Sequence, residues 1–231
     1  MCGKPLLQFY LIEDPYTMKV SLQEFAYNEC KALIESGELS PDNLYSEVAL
    51  SKQLGVSRTP MRTALQNLEK DGLIIRLPQR GFYVHKFTKV DIEELFAIRK
   101  ALEGYAVETI ANKNLPIDIT QLNKHLEGQN KAIQSDNYSS FIQEDREFHE
   151  NFIHALKNKR LAVIYSDLRQ SIELLGLQRF KLNSQRNLSI VEHKRIIKAL
   201  ERSDPRAARE AVYNHLDSAL RLLLKNNTEK K

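Results

Sequence analysis

The stretch from Ser46 to Val84 constrains the fold more tightly than any other, because its punctuation allows only one succession of short elements. Ser46 reads as a helix cap, and Val48, Leu50 and Leu54 follow as a short apolar pattern directed toward a core. Gly55 ends that helix. Ser57 then caps a second helix, whose Pro60 falls in the first turn, where a missing N–H costs nothing, and whose Met61, Leu65 and Leu68 recur at helical spacing. This is a helix-turn-helix. Asp71-Gly72 closes the second helix, and Leu73 to Leu77, the turn Pro78-Gln79-Arg80-Gly81 and Phe82-Tyr83-Val84 predict a β-hairpin, a wing.

The exposed positions of this unit carry its chemistry. Arg58 and Arg62 stand four apart at the start of the second helix, on the face away from Met61, Leu65 and Leu68, with Ser57 and Thr59 beside them as hydroxyl donors. An arginine so placed can grip guanine O6 and N7 in a major groove, with about 1–3 kcal/mol of base discrimination, while Ser57, Thr59 and Lys52 suit phosphates. Arg80-Gly81 is expected at the wing tip. From Lys52 to Lys86 seven basic residues face only Glu69 and Asp71, so the chain's positive charge is concentrated here. A winged helix that binds protein, with its arginines merely solvated, is the alternative. The placement of basic charge on the groove-facing side favours double-stranded DNA.

Three runs, Leu44 to Ser51, Leu54 to Leu65 and Leu68 to Leu73, closely resemble the DNA-binding domain of GntR-type bacterial transcription regulators. The chain departs from the common pattern at Val48, where many relatives carry Arg or Glu, and at Thr63, where they carry Glu.

With 231 residues, 42% of them hydrophobic, the chain can bury two modest cores. The expected organisation is an arm over 1–20, the winged helix-turn-helix over 21–86, a helical domain over 87–226 and a polar tail over 227–231. The whole is mainly α. Net charge is +4 with a pI near 8.9, compatible with a nucleic-acid partner without requiring one. Cys2 and Cys30 are too few and too scattered for a disulfide framework, which predicts free thiols in a reducing interior. The apolar run Leu6 to Ile12 is followed by Glu13, Asp14 and Pro15 instead of the small residues of a cleavage site, and no run approaches the roughly 18 apolar residues of a membrane span. A soluble cytoplasmic protein is expected.

Ser21 to Glu24 has the form of a capping box, and Leu22, Phe25, Ala26, Leu33 and Ile34 trace one helical face that stops at Gly37. Thr88 to Asp91 offers another cap, so Lys86-Phe87 is a very short linker. Beyond it every long segment repeats at three and four, predicting about six helices, near 89–113, 118–134, 138–157, 159–183, 187–202 and 204–226, with Pro205 opening the last. They read as an antiparallel bundle.

Polar residues interrupt the apolar stripes of that bundle. Asp145 and His149 lie one turn apart on the face of Phe141, Ile142, Phe148, Phe152, Ile153 and Leu156. His193 is in line with Ile190, Ile197 and Leu200, and His215 with Ala208, Ala211, Val212, Ala219 and Leu222. Each histidine alone reads better as an ordinary core residue with one hydrogen bond. Four inward polar groups from three helices are most simply satisfied together by a divalent metal ion. His154 follows His149 by five residues, which turns the two rings apart and excludes a zinc-protease helix. His85 and His125 are expected at the surface. Arg99, in line with Ile92, Leu95, Phe96, Leu102 and Ala106, reads either as an ion-pair partner of Glu103 or as an anion clamp for a small carboxylate.

This region resembles the all-helical effector domain of the FadR branch of GntR regulators, the FCD type. The resemblance rests on Asp145-Arg146-Glu147-Phe148-His149, Glu192-His193 and His215-Leu216. It implies metal ligation by Asp145, His149, His193 and His215, with zinc foremost and nickel or manganese as alternatives. It also implies a homodimeric repressor on a palindromic operator, released or recruited by a small organic-acid effector. Two rivals stand beside this reading. One is a metal-dependent hydrolase fused to a DNA-binding module, for which no general base stands at motif-grade spacing. The other is a constitutive DNA binder with a purely structural metal.

Overall fold

The computed structural model describes residues 21–168, 171–173, 175 and 186–228; the expected arm, with Cys2 and the apolar run, lies outside them. The chain divides into two compact units, with the boundary between Lys86 and Phe87.

The first unit runs α1 (Leu22–Ser36), α2 (Glu47–Gln53), α3 (Arg58–Lys70), β1 (Ile74–Leu77) and β2 (Gly81–Val84). Ser21 Oγ accepts the Glu24 N–H at 3.2 Å to open α1, and Gly37 closes it in the left-handed conformation. Ser46 likewise accepts from the Ala49 N–H. α1 packs on α3, and Phe25, Cys30 and Ile34 of the one and Met61, Leu65 and Leu68 of the other are buried, as are Leu73, Phe82 and Val84. Burial, with Glu29 adding to it, pushes the Cys30 thiol up to about 12, so it sits in the core as a small apolar group.

Three local expectations are corrected. Ser57 stands at the N-cap of α3 with extended backbone, but its side chain makes no capping bond and stays exposed. Val48 is 51% exposed, because the short α2 turns Leu50 and Ser51 inward instead. Leu22, also 51% exposed, sits in the first turn of α1, outside the stripe begun by Phe25.

The wing is antiparallel, in register from Ile74 opposite Val84 to Leu77 opposite Gly81. Tyr45 adds a bridge on its far side, donating its N–H to the Phe82 carbonyl at 2.7 Å and accepting the Phe82 N–H at 3.0 Å. Gly81 makes this possible. Its φ is 119°, and a Cβ there would lie 2.1 Å from the Tyr45 carbonyl oxygen. The turn is made by Gln79 with positive φ, which leaves Arg80 exposed and places Gly81 in β2, not at the tip.

The second unit is helical: α4 (Lys89–Lys113), α5 (Ile119–Gln134), α6 (Tyr138–Ala155), α7 (Lys159–Asp167), α8 (Arg186–Glu201) and α9 (Pro205–Thr228). Thr88 and Asp91 form a reciprocal capping box at the start of α4. Asp118, Asn137, Asn158 and Asp204 each accept a backbone N–H at the start of the helix that follows. α4 packs most extensively on α9, α5 on α6, and α9 on α8, around Phe96, Val107, Leu122, Phe148, Phe152, Ile196 and Val212.

Of the helix expected over 159–183, α7 covers Lys159–Asp167. At Leu168 the N–H turns back to the Tyr165 carbonyl, a tighter turn than the α-helix, and residues 171–173 and 175 have helical backbone, while 169, 170, 174 and 176–183 lie outside the described set. The last helix extends through Thr228, two residues beyond its expected end, and 229–231 lie outside the described set.

The contact at Gly81 makes a direct prediction. Gly81→Ala should destabilise the winged unit by about 2–4 kcal/mol, since it combines backbone strain with a main-chain clash. Urea unfolding of the full chain with and without the substitution, followed by hydrogen exchange of the Tyr45 and Phe82 amides, measures it, and a loss under about 0.5 kcal/mol contradicts it.

Candidate functional site

In the first unit, exposure and pairing separate the basic residues into two sets. Lys52, Ser57, Arg58, Thr59, Arg62 and Arg80 are exposed, and among the described residues none of these four cations has an ion-pair partner. Arg76, by contrast, is spanned between Glu47 at 3.8 Å and Glu69 at 3.6 Å, and Lys86 is held by Asp42 at 3.1 Å. A groove of about 550 Å³ opens between α2, α3 and the wing, and Arg62, Arg76 and Arg80 stand on its walls. The N-terminal turn of α3 thus presents Arg58 and Arg62 beside a wing whose Arg80 is uncommitted. That is the arrangement by which a winged helix meets a groove and its flanking phosphates. Gly81 belongs to the wing's backbone geometry.

In the second unit, His149 on α6, His193 on α8 and His215 on α9 are wholly buried, and each offers a ring nitrogen within 4.8 Å of the others. Asp145 reaches the group through His193, its Oδ1 3.6 Å from Nε2. Each ring is tethered from behind. The His193 Nδ1–H donates to Gln129 Oε1 at 3.1 Å, and the His215 Nδ1–H donates to Glu192 Oε2 at 3.0 Å. An oxygen acceptor at Nδ1 favours the proton there and turns Nε2 toward the cluster. The two Nε2 atoms approach each other to 3.3 Å, close enough for one ion to bind both. His149 Nε2 and Asp145 Oδ1 are buried without a hydrogen-bond partner. Three buried imidazoles with ring nitrogens within 4.8 Å of one another, beside a carboxylate oxygen that lacks a partner, form a donor set that fits a divalent metal with N/O ligands.

Arg99 and Glu103 form the wall of this site. Arg99 Nε donates to Glu103 Oε1 at 2.7 Å, Tyr165 Oη donates to the same oxygen at 2.9 Å, and Glu103 Oε2 lies 2.7 Å from His149 Nδ1. At that separation the ring and carboxylate can share a proton, although the ring is rotated off the ideal line. Burial works against the ionised Glu103, but Arg99 and then His149 outweigh it and hold the carboxyl well below its ordinary range. Burial likewise opposes the Arg99 charge, and Glu103 more than offsets it. Arg99 Nη2 remains buried with no partner. Both readings of Arg99 therefore have a physical basis: one edge is committed to Glu103, and a donor is left over.

His125 is a correction. Expected at the surface, it is 4% exposed between α5 and α6, its Nδ1 2.7 Å from Glu144 Oε2 and its Nε2 near the Gln121 and Asn151 amides. Gly128 makes room, because a Cβ there would lie 2.4 Å from the Glu144 carboxyl carbon. His85 is half-buried and His154 exposed. Sequence reasoning missed Gln129 and Tyr165. Gln129 was detectable, since it lies in the stripe of Leu122, Leu126 and Ala132 as the histidines lie in theirs. Tyr165, on a short helix, carries no such signal.

A winged helix-turn-helix joined to an all-helical unit with this buried polar cluster defines a transcription regulator. A family model of bacterial regulatory proteins, gntR family, matches residues 22–84, and an FCD domain model matches residues 94–218. The chain is 30% identical over 192 residues to the uncharacterized HTH-type transcriptional regulator YdhC of Bacillus subtilis (strain 168), covering 83% of this chain and 86% of that one. It is 26% identical to the gluconate operon transcriptional repressor of Bacillus licheniformis, covering 82% and 79%. Among solved structures, E. coli McbR/YncC shares the fold at a TM-score of 0.71 and 24% identity, over 90% of this chain and 99% of that one. The Zn2+-bound FCD domain of TM0439 shares it at 0.50 and 23%, over 62% and 97%. This chain belongs to the gntR family of transcription regulators and carries an FCD domain. It is a DNA-binding regulator and not an enzyme, which removes the hydrolase alternative.

The buried ion pair yields a stability prediction. Glu103→Ala strands the Arg99 charge and should cost about 3–5 kcal/mol in denaturant titrations with chelator present, whereas Arg99→Leu/Glu103→Leu should cost clearly less. Because Glu103 is held below its ordinary value of 4.5, its stabilisation is complete above that pH and is lost as the pH falls toward about 2. A single variant no worse than the double contradicts this.

Proposed function

We propose that the chain is a repressor that binds a palindromic operator as a homodimer and changes its affinity when a small carboxylate effector enters the FCD domain. Asp145, His149, His193 and His215 would hold a divalent cation there, and the convergence of three buried imidazoles, with ring nitrogens within 4.8 Å of one another, is the observation that supports this most directly. The relative solved with zinc in its FCD domain makes zinc the first metal to test, with nickel and manganese next. The repressor sense draws on the gluconate operon repressor among the relatives. When bound, the metal supplies a positive centre with which an effector oxygen can share coordination.

The chain's own residues would do the rest. Arg99 meets the far end of the effector through Nη2, the donor left unpaired beside Glu103. Arg58 and Arg62 read bases from the first turns of α3. Lys52, Ser57, Thr59 and Arg80 hold phosphates, and Gly81 lets the wing carry Arg80 to them. One winged unit buries too little DNA surface for tight binding at physiological salt, so two act together. A metal that is only structural, with constitutive DNA binding, is the competing reading, and Arg99 Nη2 argues against it because it is a buried donor with nothing to bond.

Two measurements test the reading. Arg58→Ala should reduce the ratio of operator to random-duplex affinity by about 5–100-fold, while Lys52→Ala weakens both alike; an unchanged ratio for Arg58→Ala sinks the groove assignment. Protein purified without chelator should carry one metal per protomer, and His193→Ala should abolish the operator response to a panel of organic acids while leaving operator binding intact. Native protein free of metal, or a full response in His193→Ala, overturns the sensor.

A further inference from the structure

Each histidine of the buried cluster has an oxygen at its Nδ1, and the three oxygens come from different helices: Glu103 on α4 for His149, Gln129 on α5 for His193 and Glu192 on α8 for His215. Glu103 differs from the other two. Its second oxygen is already shared by Arg99 Nε at 2.7 Å and Tyr165 Oη at 2.9 Å, and the residue is wholly buried. Its carboxylate therefore cannot turn from His149 without leaving a buried guanidinium and a buried phenol unsatisfied. The side chain is fixed from three directions, by α4, α6 and α7.

We propose that Glu103 is a positioning residue for His149: it fixes the ring with the proton on Nδ1 and Nε2 turned to the metal site, and so brings α4 and α7 into that site. Neither helix carries an expected ligand, yet both would contribute to metal affinity through this one carboxylate. Oxygen partners behind a ligating imidazole typically change metal affinity by about 10–100-fold. The Zn2+ consequence rests on the metal reading above; the tautomer consequence does not.

The test works in an Arg99→Met background, so that loss of the carboxylate strands no buried charge. Glu103→Gln keeps an oxygen acceptor for Nδ1 in place, and Glu103→Leu removes it. Long-range nitrogen–proton spectra of the metal-free proteins report the His149 tautomer, and competition with a chromophoric chelator reports Zn2+ affinity. Arg99→Met/Glu103→Leu should show a mixture of His149 tautomers and bind Zn2+ about 10–100-fold more weakly than Arg99→Met/Glu103→Gln, which should keep the Nδ1–H form. The proposal is overturned if the Leu protein keeps a single Nδ1–H tautomer, or if the Gln and Leu proteins are impaired equally, as packing alone would have it. Wild-type protein that takes up no Zn2+ overturns the metal reading, and the tautomer comparison still decides Glu103.

Discussion

Three imidazoles buried together in an apolar core, two of them with Nε2 atoms 3.3 Å apart, set the terms for the whole helical unit. Phe148 stacks on His193 with ring centroids 4.3 Å apart, and His149 stacks on His215 at 5.1 Å, so the rings cannot rotate away from one another without disturbing the core. The tethers behind them are polar and equally fixed. The bundle thus spends part of its core on groups that apolar residues would pack more cheaply, and such an arrangement persists where the polar groups have a task.

The winged unit follows the opposite logic. Its core is ordinary, and its polar residues divide by whether they are already satisfied. Glu47 and Glu69 neutralise Arg76 and tie β1 to α2 and α3, so that arginine serves the geometry of the wing. Arg58, Arg62 and Arg80 lack such partners among the described residues, so a phosphate or base edge would meet them without first breaking a pair. Composition alone does not distinguish these arginines. The neighbouring carboxylates do.

The sequence made most of this legible because helical periodicity exposes any polar residue that breaks a stripe. His149, His193 and His215 stood out for that reason, as did Arg99. The cap at Thr88 and Pro205 at the head of the last helix marked helix starts at the right residue. What stayed hidden depended on partners distant in the chain. Nothing local to Gly81 announces the Tyr45 carbonyl 2.1 Å from its missing Cβ. Nothing local to His125 announces Glu144, nineteen positions on, or the Gly128 that admits it. Val48 failed differently: on a helix of seven residues, two apolar positions do not define a face.

The charges around the histidines bear on what else the site can accept. Glu103, Asp145 and Glu192 lie within hydrogen-bonding or ionic reach of the three rings, and among the described residues Arg99 is the guanidinium paired with this group. One positive charge against three negative leaves a formal excess of two negative charges, which a divalent cation cancels. An anion arriving before the cation meets net repulsion, and one arriving after it meets a neutral site with an unpaired Arg99 donor. Burial strengthens both effects, because the surrounding core screens charge poorly. On the function proposed above, anion binding would therefore be conditional on the metal, and the effector response would require the cation to be in place.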